Sequence, residues 1–316
     1  MSGIFIACLI ILITFSDQHV LRIGNAEVNN QPRPKFQDFN FVAAGDFGCG
    51  NETKKTIGAM TIKKPELVIA LGDLAYKKNP DCWFDIISPI PKDRIKISFG
   101  AHDVSRGNNT YHRYLDYFNL TKPYYSFDYG NVHFLAMATP KNTLIPYNET
   151  SEQYNFVTQD LMKASKSKNI DWIIVYSFRT FYSSNTTHPG LDELQDASHP
   201  LFDKYHVDVV LQAHNHNYQR TYPLSYNYTK QFTPIITDRN TELYNNIENG
   251  QIFFTLGTGG ADFYNFTGQS PYIVKQLLRH GFLNVDVIDN GSKLGVTFYE
   301  NTGVPLDHII ISKNKK

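Results

Sequence analysis

The sequence predicts an α/β chain, built as a mixed sheet or a sandwich of two sheets with helices on its flanks. Three observations carry this. Apolar runs without alternation, such as Leu67-Val68-Ile69-Ala70-Leu71-Gly72-Asp73, are strands covered on both faces. Helical stretches separate these runs early in the chain, whereas hairpin signals dominate late. The chain has 316 residues, 41% hydrophobic and 19% charged, a globular composition able to bury a full core. Lysine plus arginine equals aspartate plus glutamate at 30 each, which gives no reason to expect nucleic acid or an anionic membrane surface as a partner.

Residues 1–26 stand apart from the fold. Residues 4–15 (IFIACLIILITF) form an apolar run of twelve, the length of a signal-peptide core, and Gly24-Asn25-Ala26 offers a small-residue cleavage site. No Lys or Arg precedes the run and the cleavage site lies well beyond it, so an uncleaved anchor on the outer face of a membrane is the alternative. Sequons at Asn51, Asn108, Asn119, Asn148, Asn185, Asn227, Asn265 and Asn290 independently favour a secreted glycoprotein. Residues 27–38 are a polar, proline-containing linker, and one domain is expected over residues 39–312.

Within that domain residues 40–44 form a strand ending in Gly45-Asp46-Phe47-Gly48. Residues 53–61 are helical, and the strand of residues 67–71 follows. Right-handed crossover places these two strands parallel, with Asp46 and Asp73 at one sheet edge. Residues 94–99 are a third strand, ending in Gly100-Ala101-His102-Asp103. Residues 124–129 and 132–139 form a hairpin around Gly130-Asn131. A helix over residues 151–165, with Ser151 as N-cap, precedes the buried strand 171–176. Residues 191–205 are helical but interrupted at Pro200. Strand 207–211 enters Ala213-His214-Asn215-His216, residues 222–250 are a polar surface excursion, and strand 252–256 ends in Gly257-Thr258-Gly259-Gly260. Residues 282–311 are antiparallel strands around Asn290-Gly291 and Asn301-Thr302-Gly303. Cys49 and Cys82 each follow a Gly-Asp turn, and both a disulfide and two separate thiols are compatible with this.

Chemistry collects beyond the carboxyl ends of such strands. There the sequence places Asp46, Asp73 with Tyr76, His102 with Asp103, Arg179, and His214 with His216. Carboxylate, phenolate and imidazole are ligands for hard and borderline cations, and His-x-His after a strand sends two imidazoles to one side. These blocks, in this order, resemble the purple acid phosphatases, a branch of the calcineurin-like metallophosphoesterases. Tyr76 is the discriminating letter. The resemblance covers residue 39 to the last strand and matches the short form of the family.

The resemblance implies a four-layer α/β/β/α sandwich of two mixed sheets and hydrolysis of phosphate monoesters of small molecules. It implies that Asp46, Asp73, Tyr76 and His216 hold iron in a first site. Asp73 would bridge to a second metal (zinc, manganese or a second iron) that His214 also binds, and His102 would contact phosphate and assist the leaving group. The chain departs from the pattern at two second-site ligands. Ala101 stands where the family has Asn, and Phe178 where it has His. Ala213 also replaces the glycine of the last block. Asp103 or Ser177 would have to substitute as ligands, or Arg179 would place a fixed positive charge on the phosphate. The sequence therefore supports two functions, a phosphatase with a weakened second metal position, or a catalytically impaired relative that binds a metal or phosphate.

Overall fold

The computed structural model describes residues 37–105, 108–141, 143–230, 232–245 and 250–313; the expected signal segment and most of the linker lie outside these residues. In chain order the strands are β1 (Phe39–Ala44), β2 (Leu67–Ala70), β3 (Ile95–Ile97), β4 (Tyr125–Tyr129), β5 (Val132–Ala136), β6 (Trp172–Tyr176), β7 (Val209–Gln212), β8 (Tyr218–Thr221), β9 (Leu224–Ser225), β10 (Ile235–Ile236), β11 (Leu243–Asn245), β12 (Ile252–Leu256), β13 (Ile273–Leu277), β14 (Gly281–Ile288), β15 (Lys293–Glu300) and β16 (Pro305–Ser312). The helices are α1 (Asn51–Ile62), α2 (Asp81–Ile87), α3 (Ala101–Ser105), α4 (Asn108–Phe118), α5 (Glu152–Lys166) and α6 (Asp192–Lys204).

Two seven-stranded mixed sheets form, in the orders β11-β16-β15-β14-β1-β2-β3 and β13-β8-β12-β7-β6-β5-β4. Their inner faces share one core, in which Phe41 and Ile69 of the first sheet join Phe134, Ile174 and Leu211 of the second. Alternate residues of the same strands point outward. Val42, Val68 and Ile97 are covered by α1, α2 and α4 through Ile57, Trp83 and Tyr114. Val175, Val210 and Phe253 are covered by α5 and α6 through Val157, Leu161 and Phe202. Four layers follow from strands that are apolar on both faces.

Most of the expected elements form as read. β1 and β2 are parallel neighbours, with Val42 opposite Val68. β4 and β5 form the hairpin around Gly130, whose φ is 58°. The Ser151 side chain caps α5 by accepting from the Tyr154 N–H. Cys49 and Cys82 form a disulfide, which settles the open alternative. Closing a loop of 33 residues, it tethers the turn after β1 to α2 and contributes about 4 kcal/mol on the chain-entropy account.

Two expectations are corrected. Pro200 does not interrupt the helix, which runs continuously over Asp192–Lys204. The ring removes one N–H, but burial of Leu194, Ala197, Leu201 and Phe202 holds the remaining turns. The excursion of residues 222–250 is not merely surface. Its β11 pairs with β16 in the first sheet and buries Tyr244 completely.

Candidate metal centre

The ladder between β1 and β2 continues past the strands. Asp46 N–H donates to the Gly72 carbonyl (3.0 Å), Phe47 N–H to Asp73 (3.1 Å) and Gly48 N–H to Leu74 (2.9 Å). Asp46 and Asp73 therefore leave the sheet side by side. The second sheet arrives at the same place, because Gly45 N–H donates to Leu256 and Gly259 N–H to Gly45, each at 2.8 Å. Only glycine fits at position 45, where a Cβ would lie 2.7 Å from that of Ala213 and 2.9 Å from that of Leu71. Asp46, Asp73, Tyr76 and His214 all adopt left-handed backbone, with φ of 55°, 48°, 54° and 70°. Such conformations cost about 1–3 kcal/mol each and concentrate where side chains must be aimed.

Three donor atoms converge at the crevice floor. The Tyr76 hydroxyl lies 2.9 Å from Asp46 Oδ1 and 2.9 Å from His216 Nε2, and His216 Nε2 lies 3.3 Å from Asp46 Oδ1. His216 Nδ1–H donates to the Asp262 carbonyl at 2.6 Å, so Nε2 presents its lone pair to the cluster. Ligands about 2.1 Å from one ion and at right angles stand about 3.0 Å apart, close to these separations. Asp73 borders the cluster, with Oδ1 accepting from the His102 N–H at 2.7 Å. Among the described residues no three His, Cys, Asp or Glu side chains make a metal site by themselves; this cluster closes on a phenol.

Electrostatics favour a cation there. Asp46, Asp73 and Asp103 are buried within one loop layer. Burial, reinforced by the charges of Asp46 and Asp103, holds the Asp73 pKa well above the usual carboxylate range. Burial, then the charges of Asp46 and Asp73, raises the Tyr76 phenol as well. Burial also pushes Asp46 up, but His216, His214 and the Tyr76 hydroxyl bond together outweigh it and keep its pKa low. A cation among these acceptors would satisfy groups that otherwise repel one another, so the residues of the first position fit a metal.

Asp103 is not placed as a ligand. Its carboxylate accepts from the backbone N–H groups of Asp73 (2.8 Å), Gly100 (2.8 Å) and Leu74 (2.9 Å), fastening the loop after β2 to that after β3. Burial pushes its pKa up to about 7 against these three bonds. Ser177 is fully buried, with its hydroxyl turned to the Arg179 carbonyl at 3.4 Å, so it does not replace a ligand either.

The second position is built differently. Phe178 is fully buried in the main core, its ring centroid 4.8 Å from that of His214. A Cβ at Gly72 would lie 2.9 Å from the Phe178 ring, so that ring fills the space beside the Gly72-Asp73 turn. Ala101 packs against the same apolar cluster. His214, pushed down to about 3 by burial and then by His188, is a neutral imidazole with the Phe178 and His188 rings packed on it, and hydrocarbon stands at positions 101 and 178, where two more ligands are expected. These residues do not fit a second metal.

His102 stands over the cluster, its ring centroid 4.6 Å from Tyr76 and Nε2 3.9 Å from Asp73 Oδ2. Arg179 Nε donates to the Pro140 carbonyl at 2.8 Å, and its charge contributes to lowering the pKa of both His188 and His214. Two neighbours escaped the sequence reading. His188 stacks on His214 at 3.9 Å, and Tyr264 stacks on His216 at 4.0 Å. Asn215, between the two histidines, clamps His188 by accepting from its N–H and donating to its carbonyl. The turn signal His188-Pro189-Gly190 was the only local hint.

Residues 14–218 match the family model described as calcineurin-like phosphoesterase. Among curated relatives, purple acid phosphatase 21 of Arabidopsis thaliana is 26% identical over 72% of this chain and 51% of its own length. The probable inactive purple acid phosphatase 1 of the same plant is 26% identical over 92% of this chain and 49% of its own. The chain thus spans about half the length of the curated relatives it matches. Of solved structures, purple acid phosphatase PPD1 from yellow lupin seeds superimposes with a TM-score of 0.73 at 22% identity, covering 90% of this chain and 55% of that one. GAP50, the anchor in the inner membrane complex of Plasmodium, gives 0.63 at 16% identity, covering 88% and 90%. Both likenesses concern the fold. The chain belongs to the calcineurin-like phosphoesterase family, with relatives of the purple acid phosphatase type.

Proposed function

We propose that this protein holds one metal, iron, with Asp46, Asp73, Tyr76 and His216, and hydrolyses phosphate monoesters of small molecules slowly, without a firmly bound second ion. The observation that carries the proposal is the convergence of Asp46 Oδ1, Tyr76 Oη and His216 Nε2 within 2.9–3.3 Å of one another. When bound, the metal supplies positive charge that polarises a phosphate oxygen and lowers the pKa of a water. The Asp262 carbonyl fixes the His216 tautomer, and Asp103 fixes the backbone that carries Asp73. Arg179, anchored on Pro140, places fixed positive charge beside the phosphate, and the half-exposed His102 ring delivers a proton to the departing oxygen.

A second reading is a catalytically impaired relative that binds metal and phosphate without turnover. Phe178 favours it, since its buried ring occupies the second position. Metal analysis and a visible spectrum of purified protein, beside an assay on a generic phosphomonoester, separate the two. One iron per chain, a tyrosinate absorption band and turnover abolished by Asp73→Asn support hydrolysis. The same metal and band without turnover, even with added zinc or manganese, support the binding protein. Protein that takes up no metal overturns both.

Export is part of the proposal. The Cys49–Cys82 disulfide suits an oxidising compartment. The sequon asparagines 51, 119, 148, 185 and 265 are exposed. No helix among the described residues is long and apolar enough to cross a membrane. Residues 1–26 then act as a signal peptide, with the outer-face anchor as the alternative; residues 39–312 are the working domain.

A further inference from the structure

Away from the crevice, a groove lies where both sheets end. β3 is the last strand of the first sheet and β4 the last of the second. The edges are joined through Tyr125, whose hydroxyl accepts from the Ile97 N–H (2.9 Å) and donates to its carbonyl (2.8 Å). Beside this bridge is a groove of about 550 Å³ lined by Ile95, Lys96, Phe118, Leu120, Tyr125 and Phe127. The Lys96 ammonium stands 5.3 Å from the Phe127 ring centroid. Strand margins with unpaired backbone groups template association, and proteins cover or charge them. Here lysines supply the charge, and an apolar, aromatic floor is left open.

Asn119 also lines this groove and begins the sequon Asn119-Leu120-Thr121. It closes α4 in a Schellman arrangement, with the Leu120 N–H on the Leu115 carbonyl (2.9 Å) and its own N–H on Asp116 (3.3 Å). Its φ is 53°, in the left-handed region where glycine is usual and asparagine is tolerated. Asn119 and Thr121 are both exposed, as a glycosyl acceptor must be. A pyranose has a face of axial C–H groups that packs on aromatic rings, and an acetamide and hydroxyls that pair with lysine and carboxylate. Lys96 and Asp93 at the rim supply those partners.

We propose that Asn119 carries an N-linked glycan whose first N-acetylglucosamine units lie in this groove and cover the margins of both sheets. The donor is a diphosphate-linked oligosaccharide of the export pathway. The Asn119 Nδ2–C1 bond forms as the sugar C1–O bond to the diphosphate breaks; the diphosphate leaves with the bonding pair, and a base of the transferase takes the amide proton. The inference rests on the export proposed above and is independent of the metal site; Asn148 unmodified as well would count against export, Asn119 alone unmodified against this inference.

The test uses the full chain secreted from a eukaryotic host. Native protein is treated with peptide N-glycosidase in ¹⁸O water, so that each released site becomes a labelled aspartate read by peptide mass spectrometry. Asn119 is expected to be occupied and to be released about tenfold more slowly than the exposed Asn148, equivalent to about 1.4 kcal/mol of seating. Phe127→Ala should bring the two rates together; if that chain does not fold, Lys96→Ser tests the same groove from its rim. Asn119→Gly keeps the left-handed cap and should yield a folded chain with greater self-association. An unmodified Asn119, or release as fast as from Asn148, overturns the proposal.

Discussion

The two halves of the crevice are built on opposite principles. Around Asp46, Tyr76 and His216, polar atoms have their directions set by backbone groups or neighbouring donors, and the buried carboxylates of Asp46 and Asp73 border one cluster of acceptors. Around His214, the corresponding volume is taken by the Phe178 ring, part of the hydrophobic core, and the partly buried Ala101 methyl group packed against that core. The first half holds Asp46, Asp73 and Tyr76 in left-handed backbone to aim their side chains, whereas in the second His214 alone of the predicted ligands is so held and stability comes from burial. A ligand-free second position need not collapse the fold, because an aromatic ring can replace an ion if the surrounding wall is already apolar.

The largest effect that tests this contrast is loss of a ligand from the built half. Complete structural sites are worth about 10–16 kcal/mol, so one ligand of four accounts for about 3–4 kcal/mol, or 10²–10³-fold in affinity. His216→Ala should therefore release the metal on dialysis, whereas His214→Ala should retain it; metal content of the two variants decides. Equal loss from both would mean that the two halves form one site. Next in size is the rebuilding of the second half. Ala101→Asn with Phe178→His should raise second-metal affinity and phosphomonoester turnover by about 10²-fold, the scale of one well-placed electrostatic group. Ala101→Asn alone should do little, since the Phe178 ring still fills the space. A double variant no better than the parent in metal titration would show that these positions do not face the ion.

Much of the crevice was legible because its residues follow apolar strands directly. Asp46, Asp73, Tyr76, His102, His214 and His216 each stand at a glycine turn, at most a few residues from a strand end, or in a His-x-His pair, and parallel strands deliver such residues to one edge. What escaped depends on contacts remote in sequence. His188 and Tyr264 reach the crevice from loops with no periodic signal, placed by stacking on histidines 26 and 48 positions away, the differences 214 − 188 and 264 − 216. Asp103 was considered as a ligand because it neighbours His102, yet its oxygens are taken by three backbone donors that only the folded loops bring together. The edge strand β13, the buried but polar strand β8 beside it and the helix α4 also escaped, since partly exposed or polar elements lack an unbroken apolar run.

Asp103→Asn sharpens the comparison at a smaller scale. The amide retains one acceptor but turns its NH₂ toward a backbone N–H, leaving buried donors unpaired at a cost of about 2 kcal/mol. Thermal or urea denaturation of the metal-free protein should register this loss. The same substitution should weaken metal binding about 10–100-fold, as loss of a supporting group does. Unchanged stability would mean that the loops after β2 and β3 are held by other contacts.

At the smaller end, acid should loosen the half that carries Phe178. His199, completely buried on α6, shares a hydrogen bond with the Tyr182 hydroxyl (2.6 Å) and thereby supports the loop bearing Phe178 and His188. Burial pushes its pKa down to about 4, below the ordinary histidine value. Because the folded-state pKa is depressed, this contribution is complete above about pH 6.5 and is lost as the pH falls toward 4. With those two values the loss is about 2 kcal/mol near pH 5. Hydrogen exchange at pH 7 and pH 5 should show protection falling in residues 178–190 before it falls in β1 and β2. His199→Gln, which cannot titrate, should flatten that pH dependence. If protection falls equally in both halves, or the variant keeps the same slope, His199 is not what makes one side of the crevice softer to acid than the other.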